Sequence, residues 1–219
     1  MNNRFSSILI EGLPRTGKKE LGRKLSKVLK FSCALEIQSI PSQILTHFYR
    51  EPEKNALLTE LSFLIQRYKQ FTTLMSDLYQ PNKYVFTFSM EKSKIYAAYT
   101  LSDYELRVFE KIYEMLSKPL PIAYDVIVFL YTKPSDLLKR IRKNPKEGEG
   151  KISKEYLDGL LRVFYNHFSK QTGVPVVFFD VKNFECGFDE QTVENLADFL
   201  QTAKIGINFF DPLTSCKQE

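Results

Sequence analysis

The chain has 219 residues, of which 43% are hydrophobic, 14% aromatic and 26% charged; these are the proportions of a globular protein, and the length fits a single medium domain, 1–219. No apolar run reaches the roughly 20 residues that span a bilayer, and Met1-Asn2-Asn3-Arg4 leads into a short mixed run rather than a signal-peptide core, so a cytoplasmic protein without membrane contact is expected. The net charge of +5 arises from basic residues interleaved with acids, and Cys33, Cys186 and Cys216 lie far apart; this speaks against nucleic-acid binding, a disulfide framework or a zinc site, and suits a small anionic ligand.

Phe5 to Ile10 is a short apolar run that reads as a buried strand ending at Glu11-Gly12. From Lys18 onward Leu21, Leu25, Val28 and Leu29 recur at helical spacing, so the opening unit is strand, glycine loop, helix. Residues 56 to 79 form the next expected helix, with Leu57, Leu61, Leu64, Tyr68, Phe71 and Leu78 on one stripe and Pro81-Asn82 as its stop. Tyr84 to Phe88 is a strand. Ser102-x-x-Glu105 is a capping box that opens a helix carrying Leu106, Phe109, Ile112 and Leu116. Asp125 to Tyr131 is almost continuously apolar, as a parallel strand buried on both faces must be, and belongs at the sheet centre. A basic helix follows from Pro134 to Lys143, then an irregular segment from Asn144 to Gly150, then a helix opened by Ser153. Pro175 to Val181 reads as the final strand and Asp189 to Thr202 as a closing amphipathic helix; the tail from Lys204 shows no strong periodicity. The alternation of strands and helices predicts an α/β fold, a parallel sheet with helices on both faces.

Gly12-Leu13-Pro14-Arg15-Thr16-Gly17-Lys18-Lys19 matches the phosphate-loop pattern G-x-x-x-x-G-K, but Lys19 stands where Ser or Thr is expected. The glycines let backbone N–H groups turn toward phosphate, the helix N-terminus adds its dipole, and Lys18 adds a mobile charge. The expected phosphate-binding set is therefore Gly12, Thr16, Gly17, Lys18 and Lys19. The alternative is a strand-to-helix turn that binds nothing. The missing hydroxyl normally ligates Mg²⁺, so a Mg²⁺ site, if there is one, is weakened, and no protein metal ligand is assigned. Lys19 either attracts phosphate directly or turns to solvent along its helix.

Three further stretches join the loop in resembling the deoxynucleoside kinases: Phe63-Leu64-Ile65-Gln66-Arg67-Tyr68-Lys69-Gln70, Phe129-Leu130 leading to Leu138-x-Arg140-Ile141, and Ile152-Ser153-Lys154-Glu155-Tyr156-Leu157. The resemblance spans nearly the whole chain. It implies a P-loop nucleoside kinase-like fold, ATP as phosphoryl donor, a nucleoside or nucleotide in the acceptor site, and a homodimer or a heterodimer with a related kinase subunit through the helices at 56–79 and 103–116. It also implies a lid at about 140–151 carrying Arg140, Arg142 and Lys146, with Asn144 and Lys146 at two positions that are arginine in the family. A solvated basic loop is the other reading of that segment. Glu36 is the nearest candidate for the base that takes the 5′-hydroxyl proton, one position out of register, against an exposed strand-end Glu. Lys18, Arg140 and Glu36 are thus the expected catalytic set. Arg67 matches a family arginine near the nucleoside, and Glu60 replaces a base-reading Gln. The acid-Arg-Ser or Asp-Tyr-His type motif expected after the third strand reads Phe86-Thr87-Phe88-Ser89 here, with Glu91 and Lys92 following on what reads as a solvated helical turn. These departures leave two functions open, an active kinase and a degenerate binding or regulatory subunit that keeps the fold.

Overall fold

The computed structural model describes residues 4–37, 40–78, 82–146 and 149–212. Its elements run β1 (Ser7–Gly12), α1 (Lys18–Leu29), β2 (Ser32–Ala34), α2 (Ser42–Arg50), α3 (Pro52–Leu78), β3 (Tyr84–Phe86), α4 (Met90–Thr100), α5 (Asp103–Ser117), β4 (Val126–Tyr131), α6 (Pro134–Lys143), a 3₁₀ turn (Glu149–Lys151), α7 (Lys154–Ser169), β5 (Pro175–Asp180), α8 (Glu190–Thr202) and β6 (Gly206–Phe210). The strands form one sheet in the order β2-β3-β1-β4-β5-β6, and every neighbouring pair is parallel.

The two-residue period of the strands divides the core into two layers. Leu9, Ile127 and Phe129 face a cluster completed by Leu64 and Phe71 of α3, Phe109 of α5 and Leu160 and Phe164 of α7. Ile8, Ile10, Val126 and Val128 face the opposite way, against Leu21 and Leu25 of α1 and Val193 and Leu196 of α8. Both faces of β1 and β4 are therefore covered, which is why these strands are apolar along their length. The capping box of α5 forms in both directions between Ser102 and Glu105.

Four details differ from the sequence expectation. The helix expected at 56 begins earlier, at Pro52, because Pro is favourable in a first turn where its missing N–H has no partner to lose; its expected stop at Pro81 lies outside the described residues. β5 is not the final strand, since β6 pairs with it from Gly206 to Phe210. α2 and α4 are helices that apolar periodicity did not announce. Glu36 lies beyond β2, which ends at Ala34, so strand alternation does not decide where its side chain points.

The chain leaves β1 toward β2 on one side and leaves β4 toward β5 on the other. Such a reversal opens a crevice at the carboxyl ends of the strands, where open α/β sheets bind ligands. Glu11, the phosphate loop and Glu36 all lie at this end.

Candidate active site

Backbone geometry fixes the loop between β1 and α1. Gly12 has φ 151° and Gly17 φ 89°, conformations that residues with a Cβ rarely adopt. A Cβ on Gly12 would lie 2.3 Å from the Leu130 carbonyl oxygen, and one on Gly17 would lie 2.7 Å from the Phe188 ring. Thr16 is buried and its hydroxyl donates to the Leu13 carbonyl at 2.8 Å. Lys18 folds back over the loop, its Nζ donating to the carbonyls of Gly12 at 2.8 Å and Leu13 at 2.7 Å. Burial, reinforced by the positive charge of Lys92, lowers Lys18 to about 7, against the pull of Glu11 and Glu36.

A cleft of about 250 Å³ opens beside the loop. Lys18, Lys19, Glu36, Glu60, Arg67 and Lys92 all line it. Glu36 is buried and held from three sides. Arg67 donates to its Oε1 through Nε at 3.1 Å and Nη2 at 2.9 Å, while Lys92 donates to its Oε2 at 2.7 Å. Its backbone N–H donates to Thr87 Oγ1 at 2.9 Å, and Gln70 brackets the same segment by bonding Leu35 O and Ile37 N. Burial alone would raise the Glu36 carboxyl, but Lys92 and Arg67 outweigh it and hold the group well below the usual carboxylate range. The exposed strand-end reading of Glu36 does not hold.

Lys92 is the residue that sequence reasoning misplaced. Its expected solvated turn is the buried first turn of α4, where Lys92 is 6% exposed. Ser89 caps that helix by accepting from the Lys92 N–H at 3.1 Å, and its hydroxyl donates to Glu11 at 2.9 Å. Glu11 is fully buried, its second oxygen has no hydrogen-bond partner, and burial raises its pKa against the pull of Lys92 and Lys18. Lys92, Tyr96 and Thr100 recur every fourth residue, so the face of α4 turned to the cleft is polar rather than apolar. This spacing was the available signal.

α3 supplies Glu60, Phe63 and Arg67 at helical spacing on the opposite wall. Arg67 also donates to Ser93 Oγ at 2.6 Å and lies over the Phe63 ring at 5.2 Å. Glu60 accepts from Thr100 Oγ1 at 3.1 Å; it is 3% exposed, and burial raises it to about 7 against the pull of Arg67. Phe48 and Tyr49 of α2, with Tyr156 of α7, make an aromatic wall whose rings meet edge to face at 5.2–6.2 Å. The cleft thus has a charged end at the loop and an aromatic end beside Glu60.

The expected lid residues separate. Arg140 Nη2 donates to the Val181 carbonyl at 2.7 Å and Nη1 to the Arg15 carbonyl at 3.3 Å; it does not line the cleft, and Arg142 is exposed outside it. Lys146 does line it. Arg15, at φ 65°, reaches across to the Asn144 carbonyl at 2.8 Å and pairs with Glu149. Sequence reasoning did not single out either Arg15 or Glu149.

A protein-held Mg²⁺ ion does not fit this donor set. Lys19 presents an ammonium in place of the hydroxyl, and Glu36 is already paired with two cations. Among the described residues, no group of three or more His, Cys, Asp or Glu could hold a metal ion.

The sequence profile of the deoxynucleoside kinases matches residues 8–203. The chain belongs to the deoxynucleoside kinase family. Its relatives include a deoxyguanosine kinase of Bacillus subtilis (strain 168), 31% identical over 155 residues, which are 70% of this chain and 74% of the relative. A deoxyadenosine/deoxycytidine kinase of the same bacterium is 24% identical over 197 residues, covering 88% and 90% of the two chains. The fold of this chain is that of the M. mycoides deoxyadenosine kinase solved with dCMP and dCDP bound, with a TM-score of 0.67 at 18% identity over 89% of this chain and 98% of the other. The same enzyme has been solved with dATP.

Proposed function

We propose that the chain transfers the γ-phosphoryl group of ATP to the 5′-hydroxyl of a deoxynucleoside, with Gly12, Thr16, Gly17 and Lys18 receiving the phosphates, Glu36 the hydroxyl, and Glu60 and Arg67 the nucleoside. The observation that carries this reading is the convergence of Glu36 and Lys18 on one cleft, Glu36 from the segment after β2 and Lys18 from the first residue of α1, at the carboxyl end of the sheet. In the transfer the hydroxyl oxygen bonds to the γ-phosphorus and the bond to the β–γ bridging oxygen breaks. The proton passes to a Glu36 oxygen, and ADP leaves. A carboxylate held at low pKa is a weak base toward a free alcohol. It orients the hydroxyl and accepts the proton late, once bonding to phosphorus has made that oxygen acidic. The aromatic end of the cleft suits a flat base, and Glu60 is the group there able to read its edge.

A second reading, a binding or regulatory subunit without transfer, is motivated by Arg140. Its guanidinium bonds backbone carbonyls rather than facing the cleft, and Asn144 and Lys146 bring no guanidinium. The test is a panel of deoxynucleosides incubated with labelled ATP. A labelled 5′-monophosphate supports the kinase, whereas ATP binding without label in any nucleoside supports the subunit.

Pairing with a second copy or a related subunit belongs to the same proposal. Leu58 on α3 and Met115 on α5 are 59% and 77% exposed, as an interface along these helices requires, and a monomeric mass by light scattering would argue against it. Among the described residues no helix is long and apolar enough to cross a membrane, which accords with the proposed cytoplasmic location.

A further inference from the structure

Lys19 is the second residue of α1 and stands beside Lys18 at the helix N-terminus, the end that carries the positive pole of the helix dipole. It lines the same cleft as Lys18, Glu36 and Lys92, so its stem does not simply follow the helix surface into water. The other cations around the loop are engaged. Lys18 bonds two loop carbonyls, Arg67 and Lys92 hold Glu36, Arg15 pairs with Glu149, and Arg140 bonds carbonyls. Lys19 is a member of no ion pair among the described residues. Partial burial lowers its pKa; of its charged neighbours Glu36 attracts it most, while Lys146, Lys92 and Arg23 repel it. An ammonium in these surroundings repels a dication and gains from a polyanion.

We propose that Lys19 supplies from the protein part of the positive charge that a metal ion otherwise brings to nucleotide phosphates, so that nucleotide binding in this cleft tolerates removal of Mg²⁺. The inference rests on the proposed nucleotide-binding reading and deepens it. A Ser at the same position would restore the hydroxyl of an ordinary phosphate loop, and with it dependence on the metal. Lys19 shares the cleft with Lys18 and Glu36, the residues assigned above to the phosphates and the acceptor hydroxyl, and charge must be neutralised between those two groups during transfer.

The experiment measures ADP affinity by calorimetry in excess Mg²⁺ and in EDTA for the native protein, Lys19→Ser and Lys19→Arg, each checked by thermal melting. The ratio of the two affinities is the readout. In the native protein the ratio is expected to be within about threefold, and in Lys19→Ser about tenfold or more, the worth of a hydrogen bond to a charged group. Lys19→Arg keeps the cation and is expected to match the native ratio; should Lys19→Ser not fold, native and Lys19→Arg ratios near unity still carry the inference. A native ratio as large as that of Lys19→Ser, or a tenfold loss in EDTA for both native protein and Lys19→Arg, overturns the role of Lys19 alone. Absence of ADP binding in either condition overturns the nucleotide site itself.

Discussion

Glu36 and Lys92 are 56 positions apart in the chain, yet their charged atoms meet at 2.7 Å in a buried pair. The pair ties the segment after β2 to the first turn of α4, and Arg67 of α3 completes it. Three elements are thereby locked around one carboxylate at the mouth of the phosphate loop.

Acid stability reports this lock. Glu36 is depressed in the folded state, so the unfolded chain binds the proton more readily. Its contribution is complete above the ordinary carboxylate value of 4.5 and is lost progressively as pH falls below it. Glu36→Gln should flatten that acid limb in urea unfolding. Lys92→Met at neutral pH should lower stability by about 2–3 kcal/mol, less than the ~3–5 kcal/mol of a fully orphaned buried charge because Arg67 remains. An unchanged acid limb in Glu36→Gln would show that the pair does not govern it.

Glu60 behaves with the opposite sign. Its carboxyl is raised by burial to about 7, so the folded state holds the proton longer than the unfolded chain and stability falls as pH climbs from 4.5 through 7. Glu60→Gln should raise the unfolding free energy measured in urea on the alkaline side of that window, by an amount on the order of 1–3 kcal/mol, and leave it nearly unchanged on the acid side. The ionised carboxylate accepts only, so on the alkaline side deoxyguanosine, whose N1–H and N2–H₂ both donate, should stabilise the protein more than deoxyadenosine. Stronger stabilisation by deoxyadenosine there would contradict the assignment.

Much of the fold was legible because it rests on apolar periodicity. β1, α1, β4, α6, α7, β5 and α8 all carry it, and the cap residues Ser102, Ser153 and Asp189 mark helix starts where expected. β6 was not legible, since Ile207 and Phe209 alternate over too short a stretch at a sheet edge. The site was harder to read because its logic inverts the rule. Glu11, Lys92 and Glu60 are polar residues that the fold buries, and in a sequence such residues look like surface. Glu36 was found only through the family resemblance, and its bonds to Arg67 and Lys92 join parts of the chain that no local pattern links.

Lys18 provides a test at the loop itself. Burial and Lys92 bring it down to about 7, so on the alkaline side of neutrality much of it is uncharged before ligand arrives. Phosphate oxygens favour the charged form, so ADP binding should take up protons. Calorimetry in two buffers of different ionisation enthalpy should therefore give different apparent heats for the native protein and equal heats for any residual binding by Lys18→Met. Equal heats for the native protein would show that Lys18 is already fully charged or takes no part.

In the proposed transfer Glu36 acts with Lys18 in one step, and the most direct measurement is label transfer from γ-labelled ATP to deoxynucleosides by the native protein, Lys18→Ala and Glu36→Gln side by side. The native protein should yield a labelled 5′-monophosphate. Lys18→Ala should lose both nucleotide affinity and transfer. Glu36→Gln should bind ATP as before and transfer about 10²–10⁴-fold more slowly, the usual range for loss of a positioned proton acceptor. A Glu36→Gln protein that transfers label at the native rate would contradict the account.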